Sequence, residues 1–496
     1  LWHNLSKHES LINEIPSMRW HWQDYYNPDS THPGTTVCKW GAFIEDIEYF
    51  DPGFFNLSKR EARIMDPQQR LLLETSWEAL EVAGYSPSYL ANKNQSVGVF
   101  IGASLMDYAQ LLNQEGFSKD PYYAAGNSLC LLANRISYIL GLNGPSLTLD
   151  TACSASLTAL HYALKSIRSK EINLALVGSA ALMLIPDNFI VWSQMGILAD
   201  KANSSAFDAN ASGFVPGEAI VSILIKPAKQ AIQDNDNIWG IIKGSAINHD
   251  GRTKVGLSAT SPKAQADLIL SACQDAKLNI DQLDYIETHG TGTRLGDPIE
   301  VAGLKTAFTI ADSKKDTVCP IGSVKPILGH TGPVAGLTSL IKVLLAFKYQ
   351  QLPPTKVEDF NPEINFNDSP FYVNTELIDW VTSHSKKVGI SAFGFGGSNA
   401  HIIVQDYKQP SQEIETEIKR RLFILSAQTK NALHNLVNQY IKLLKNDNLA
   451  LNLGDICFTL SVGREHFEER LAIITDNREQ LKNLLLIFIN HPVTDT

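Results

Sequence analysis

A cysteine, two histidines and a glycine-rich loop carry the groups in this sequence that could do chemistry. Cys153 lies in DTACSAS (150–156), directly after the strand-like run 146–149. Leu157, Leu160, Leu164 and Ile167 follow it at helical spacing, so its thiol belongs at a strand-to-helix turn. Unpaired N–H groups and the macrodipole at a helix N-terminus favour thiolate over thiol, which lowers a cysteine pKa and arms the sulfur as a nucleophile. Ala152, Ser154 and Ala155 are small enough to leave room for a substrate. One cysteine among six is by itself more often a small buried apolar residue. Its company changes that reading. His289 lies in THGTGTRLGDPIE (288–300), where Gly290 and Gly292 leave the backbone open to a ligand and Thr291 and Thr293 offer hydroxyls. His330 lies in GSVKPILGHTG (322–332), shortly after Lys325. In FGFGGSNAH (393–401), Gly394, Gly396 and Gly397 surround Phe395 and permit a tight turn whose amides face a ligand. His161 and His401 fall on a helical pattern and at the start of an apolar run, which suits core roles, and His249 in NHDG suits loop shaping. Metal ligand spacing, a dinucleotide fingerprint and a phosphate loop are all missing from the sequence.

The elements that position these groups read as α/β. Residues 65–85 open with Asp66-Pro67, an N-cap followed by proline at the first helical position, and Leu73, Trp77 and Leu80 recur on one face. Apolar or β-branched runs at 97–101, 146–149 and 174–177 alternate with helical patterns. The polar stretch 408–421 reads as a connector, after which 422–427 suggests a strand and Leu433, Val437, Tyr440 and Leu444 a helix face. No internal repeat is visible. The apolar stretch 174–185 is too short to span a bilayer, and no signal peptide or anchor stands out. The cysteines show no disulfide framework, which suits a reducing cytoplasm. A balance of 42 basic against 52 acidic residues, net −10, disfavours nucleic acid or an anionic membrane as partner; an acidic carrier would need a local basic patch.

The motifs around Cys153, His289, His330 and Phe395 together resemble the β-ketoacyl synthase family, in particular ketosynthase domains of modular type I polyketide synthases. The resemblance includes MDPQQRLLLETSWEALEVAGY (65–85), FDANASGFVPGEA (207–219) and NHDG, and covers residues 1–407. The opening EIPSMRWHWQDYY (14–26), FVPGEA and the tail with VGREHFEERLA (462–472) are most similar to assembly lines whose acyltransferase is a separate protein. The resemblance implies a duplicated thiolase-like fold in five layers, α-β-α-β-α, usually a homodimer. It also implies that a strand normally precedes LWHNL, and that a small α/β post-ketosynthase linker domain occupies 422–496.

The resemblance further implies that Cys153 takes an acyl chain from an upstream acyl carrier protein, with the N–H groups of Cys153 and Phe395 as oxyanion hole. His289 and His330 would stabilise the enolate formed when a malonyl group on a downstream carrier loses carbon dioxide. Lys325 would orient the His330 loop. Thr291, Thr293, Gly396 and Gly397 would contact the phosphopantetheine arm, which belongs to the carrier, so that the chain itself binds no cofactor. A non-elongating ketosynthase that only moves acyl groups is the alternative, disfavoured because such members lose the histidine of HGTG. A stand-alone fatty-acid enzyme and a silent scaffold fit less well. Two departures from the family pattern bear on geometry: Pro326-Ile327-Leu328 replaces the usual Ser-Asn-Ile, and Pro333 interrupts the small-residue run after His330. Ala155 replaces a common serine.

Overall fold

The computed structural model describes residues 1–29, 31–92, 95–253, 260–313, 319–367, 369–409, 420–446 and 452–490. Helix α1 (Pro67–Val82) starts where the sequence places it, with the Asp66 carboxylate accepting from Gln68 N at 2.8 Å. There follow β1 (Val97–Gly102), α2 (Leu131–Leu140), β2 (Ser146–Leu149), α3 (Ala155–Arg168), β3 (Leu174–Ala181) and β4 (Ala219–Ile225). The second half of the chain supplies β5 (Ile241–His249), α4 (Pro262–Ala276), β6 (Tyr285–Glu287), α5 (Gly296–Ile310), β7 (Cys319–Gly322), α6 (Ala335–Tyr349), β8 (Phe371–Val373), β9 (Lys387–Phe393) and β10 (Ser398–Gln405).

The first sheet has the order β2-β1-β3-β4, with the first three strands parallel and β4 antiparallel. The second has the order β8-β7-β6-β9-β10-β5, and its inner four strands, β7-β6-β9-β10, repeat the pattern of the first. In each half a single 3₁₀ turn, Ala152–Ser154 or Gly332–Val334, opens the helix that crosses back over the sheet, α3 or α6. The duplication invisible in the residues is therefore plain in the topology.

The strands alternate faces. Phe100 and Val177 face α3 and α6 together with Val388, Ile390 and Ile402 of the other sheet, so both helices lie between the sheets. Val97, Val99, Ile101 and Leu176 face outward onto α1 and α2, while Ile286, Ile321 and Ile403 face α4 and α5. Five layers result, and the fold is the expected one. The central pair of helices packs very closely: a Cβ on Gly336 would lie 2.2 Å from Leu157 Cγ.

The tail forms a unit with its own core. Strand β11 (Arg421–Ala427) contains the expected strand, and α7 (Lys430–Lys445) buries the expected Leu433, Val437 and Leu444. After α8 (Leu453–Val462), β12 (Glu469–Thr475) pairs antiparallel with β11, and α9 (Arg478–Asn490) closes the layer with Leu481 and Leu485. The segment VGREHFEERLA clamps this unit to the main body. Phe467 packs against Trp77 and Phe54, Arg464 donates to Glu81 O at 2.8 Å, and Ser88 N donates to Glu465 at 3.1 Å. Of the connector, residues 410–419 lie outside the described residues. No helix among the described residues is long and apolar enough to cross a membrane.

Gly336→Val tests the helix contact. A Cβ and two methyls against fully buried Leu157 overpack the central layer, so the variant should lose about 2 kcal/mol, read as a lower urea midpoint at unchanged slope.

Candidate active site

Cys153 sits in the 3₁₀ turn between β2 and α3. The turn is unusual backbone, with Ala152 at φ 53°, and it is tied down on both sides: Ala152 N donates to Asp150 at 2.9 Å, and Ser154 Oγ donates to Ser398 O at 2.8 Å. The last bond docks the 393–401 loop onto the cysteine turn, and the N–H groups of Phe395 and of Cys153 itself are directed at the sulfur. Of the other loop amides, Gly397 N donates to Gly394 O at 2.8 Å, so it is spent inside the loop instead of facing a ligand. His249 shapes this loop as expected, its Nε2 lying 3.1 Å from Gly396 O.

The expectation of a lowered thiol pKa is corrected by the structure. Burial pushes the Cys153 thiol up, outweighing the Lys325 charge and the two N–H groups that favour thiolate. A helix N-terminus lowers a thiol pKa where the sulfur stays solvated; here Cys153 is half-buried, and its desolvation outweighs the N-terminal effect.

His289 and His330 meet with ring centroids 5.3 Å apart and planes at 85°. Phe393 packs on the first at 5.6 Å and Phe214 on the second at 4.9 Å. Burial first, then the Lys325 charge, holds both imidazoles well below the ordinary histidine value, so both are neutral. Nδ1 of each ring is buried without a partner. A buried lone pair costs less than a buried orphan N–H, so the proton belongs on Nε2 of each, and both rings are hydrogen-bond donors there.

The main chain of His289 is held by two groups. Glu300, at the end of the same motif, accepts from His289 N at 2.7 Å and from Gly290 N at 2.8 Å, while the Lys325 ammonium donates to His289 O. Lys325 was expected to orient the His330 loop. Its ammonium instead grips His289, and its main-chain N reaches Ser323 Oγ at 3.2 Å. Asp297 accepts from Gly292 N at 3.2 Å and from Phe207 N at 2.8 Å. Burial pushes Glu300 up to about 7 and Asp297 up to about 6. Both carboxylates belong to the THGTGTRLGDPIE string, but their function as main-chain acceptors is not visible in its residue types, because only the folded loop turns those N–H groups toward them. Thr293 Oγ1 accepts from Gly296 N and lies 3.2 Å from Thr291 Oγ1, so part of the hydroxyl capacity of this pair serves the loop.

His330 is held by FVPGEA. Its N donates to Val215 O at 2.7 Å and its O accepts from Gly217 N at 3.0 Å. A Cβ on Gly217 would lie 2.1 Å from Leu328 O, so only glycine lets the two strands of this clamp approach. The altered residues before His330 leave the clamp intact. Pro326 falls in the first turn of the short helix Lys325–Leu328 and Pro333 in the first turn of Gly332–Val334, where no N–H is required. Ile327 is buried with Leu5 and Val324. Ala155 is fully buried at the start of α3. His161 and His401 bond to Ser245 and Ser391 in the interior, the core roles expected of them.

The family model for the beta-ketoacyl synthase N-terminal domain matches residues 1–231, its C-terminal counterpart 239–357, and a model described as CurL-like, PKS C-terminal matches 421–485. Polyketide synthase PksM of Bacillus subtilis (strain 168) is 40% identical over 99% of the chain, and PksL of the same organism 38% over 98%; in each case this is 11% of the longer protein. The chain thus spans about a tenth of the length of the curated relatives it matches. Among solved structures, the ketosynthase from module 6 of the bacillaene synthase from Bacillus subtilis 168 has a TM-score of 0.87 at 38% identity, covering 99% of this chain and 81% of that one. The oxazolomycin ketosynthase domain OzmH KS7 of Streptomyces albus JA3453 has a TM-score of 0.91 at 34% identity, covering 98% and 85%.

The half-buried thiol gives a direct test. Alkylation of Cys153 by iodoacetamide, followed by peptide mass spectrometry, should keep accelerating with pH past the ordinary thiol value of about 8.5, where a simple alkyl thiol levels off. A plateau below that value contradicts the burial argument.

Proposed function

Because the chain belongs to the β-ketoacyl synthase family, as a ketosynthase of the polyketide synthase kind, we propose that it elongates: it accepts an acyl group on Cys153 and joins it to a malonyl unit by decarboxylative Claisen condensation. The observation that carries this reading is the pair of neutral imidazoles, His289 and His330, facing each other beside the cysteine turn.

The Cys153 sulfur attacks the thioester of an upstream acyl carrier protein, the oxyanion forms against the N–H groups of Cys153 and Phe395, and the carrier leaves as a thiol with the proton the cysteine gave up. A malonyl thioester on the downstream carrier then enters. Its carbon–carboxylate bond breaks, carbon dioxide departs, and the electron pair is held as an enolate whose oxygen accepts from Nε2–H of both histidines. The enolate carbon attacks the Cys153 thioester, the carbon–sulfur bond breaks, and the departing thiolate takes a proton from solvent water. Decarboxylation supplies the carbanion, so donors are needed and a strong base is not. Two neutral imidazoles suit that role, and a transacylase that never condenses would have no use for the second. His289, the residue such members lose, is present.

Thr291 and Thr293 are proposed to line the path of the carrier's phosphopantetheine arm together with Gly396, the part of the 393–401 loop facing open space. The division into 1–407, connector 408–421 and linker domain 422–496 is supported by the separate core of the tail and by its separate family model. A homodimer is supported by the outer edge of β2, which has no strand partner among the described residues and where Leu147 is exposed. A separate acyltransferase and a cytoplasmic location remain part of the same proposal and rest on the sequence strings and composition given above.

Cys153→Ala should abolish acyl loading in intact-mass spectra. His289→Ala should still load while losing condensation by about a hundredfold or more, as oxyanion donors do elsewhere. If the wild type loads acyl groups but never releases a β-ketoacyl carrier, the transacylase reading wins. Light scattering at micromolar concentration should give a dimer mass; a monomer counts against the edge-strand argument.

A further inference from the structure

Arg70, in the first turn of α1, is only 8% exposed, and its Nε is buried with no hydrogen-bond partner. Among the described residues it forms no ion pair, and its guanidinium rests on the face of Tyr108, 5.8 Å from the ring centroid. Asp66, Glu74 and Glu48 act on this guanidinium at a distance, but its Nε has lost its hydration without a hydrogen bond to replace it, which leaves that donor to be satisfied by a ligand in the cleft. It lines a surface cleft of about 730 Å³ that contains neither Cys153 nor either catalytic histidine.

The cleft is electropositive in a chain of net charge −10. Lys59 and Arg63 line it beside Arg70, and no carboxylate among the described residues pairs with either. Arg63 stacks on Phe117 at 5.2 Å and its carbonyl accepts from the Tyr108 hydroxyl at 2.6 Å, which fixes the rim. Arg19 also lines the cleft but is already answered by Glu218 at 3.0 Å, and the opposing charge in the wall is Glu48. Phe50, Leu111 and Leu184 supply an apolar wall.

We propose that this cleft binds an organic anion, its phosphate or carboxylate head on Arg70, Arg63 and Lys59 and its apolar body against Phe50, Leu111 and Leu184. The planar fork of Arg70 matches either oxyanion. Nothing in the condensation chemistry uses these residues, so the site is independent of it.

The test is calorimetric titration of the full chain, with Cys153 alkylated by iodoacetamide to block the thiol site, using phenyl phosphate, benzoate and neutral benzyl alcohol. Saturable binding of at least one anion is expected, weakened by salt and absent for the alcohol. Lys59→Gln with Arg63→Gln should weaken it by about tenfold or more, since both substitutions remove charge-assisted contacts. Arg70→Gln should remove it with the circular dichroism spectrum unchanged; if that variant fails to fold, the exposed double variant decides. Tighter phenyl phosphate identifies a phosphate ligand and tighter benzoate a carboxylate, each within the proposal. No saturable anion binding, equal binding of the alcohol, equal affinity in the double variant, or binding only when Cys153 is unmodified each overturns it.

Discussion

The contact between α3 and α6 is the constraint on which the site depends. Each helix begins at a 3₁₀ turn that follows a parallel strand, directly after β2 for α3 and beyond the short helix Lys325–Leu328 for α6, and the two turns come from halves of the chain with the same strand order. Packing the helices at the distance that Gly336 permits against Leu157, with Ser156 Oγ receiving Leu337 N at 3.3 Å, brings the cysteine turn of one half beside the histidine loop of the other. The buried ion pair of Lys342 with Glu287, 2.6 Å long, ties α6 to β6, the strand that leads into the His289 loop. The three groups are thus delivered by three strand ends whose relative positions are set by one layer of helices. Preorganisation of this kind lets donors act without reorganising when charge appears.

Burial then decides protonation. Excluding water raises the Cys153 thiol and lowers both imidazoles, and the Lys325 ammonium opposes the first effect and reinforces the second. A single buried cation therefore favours the sulfur anion and disfavours imidazolium. Glu300, Glu287 and Asp297 are acidic groups that act on that cation, and Glu300 and Asp297 also bind the main chain of the His289 loop, so two of the same residues contribute to charge balance and to loop shape.

The tail is fixed to the body by an aromatic and ionic clamp, Phe467 on Trp77 and Arg464 on Glu81, at the far end of α1 from Arg70. Helix α1 accordingly joins three regions: its N-cap braces the main body, one side lines the electropositive cleft, and its last turns carry the linker unit.

Periodicity and spacing were enough to place α1, β1 to β3 and the helix after Cys153, since these elements depend on local propensity and on which face is apolar. The four motifs were legible because their residue types are specific in combination. The duplication came only through the family resemblance and not through any visible repeat, because β1 and β6 share a position in the sheet without sharing side chains, and strand order is a long-range property. It could not foresee the raised thiol pKa, because burial is decided by chain segments distant in sequence. It could not assign Lys325 to the His289 carbonyl or Glu300 to the His289 amide, because those bonds exist only once the 288–300 loop is folded against the helix Lys325–Leu328. Residue types and their spacing settle which groups are present and which elements carry them. Their partners, their hydration and therefore their charge come from the fold, because desolvation and hydrogen bonding depend on neighbours that only packing brings into contact.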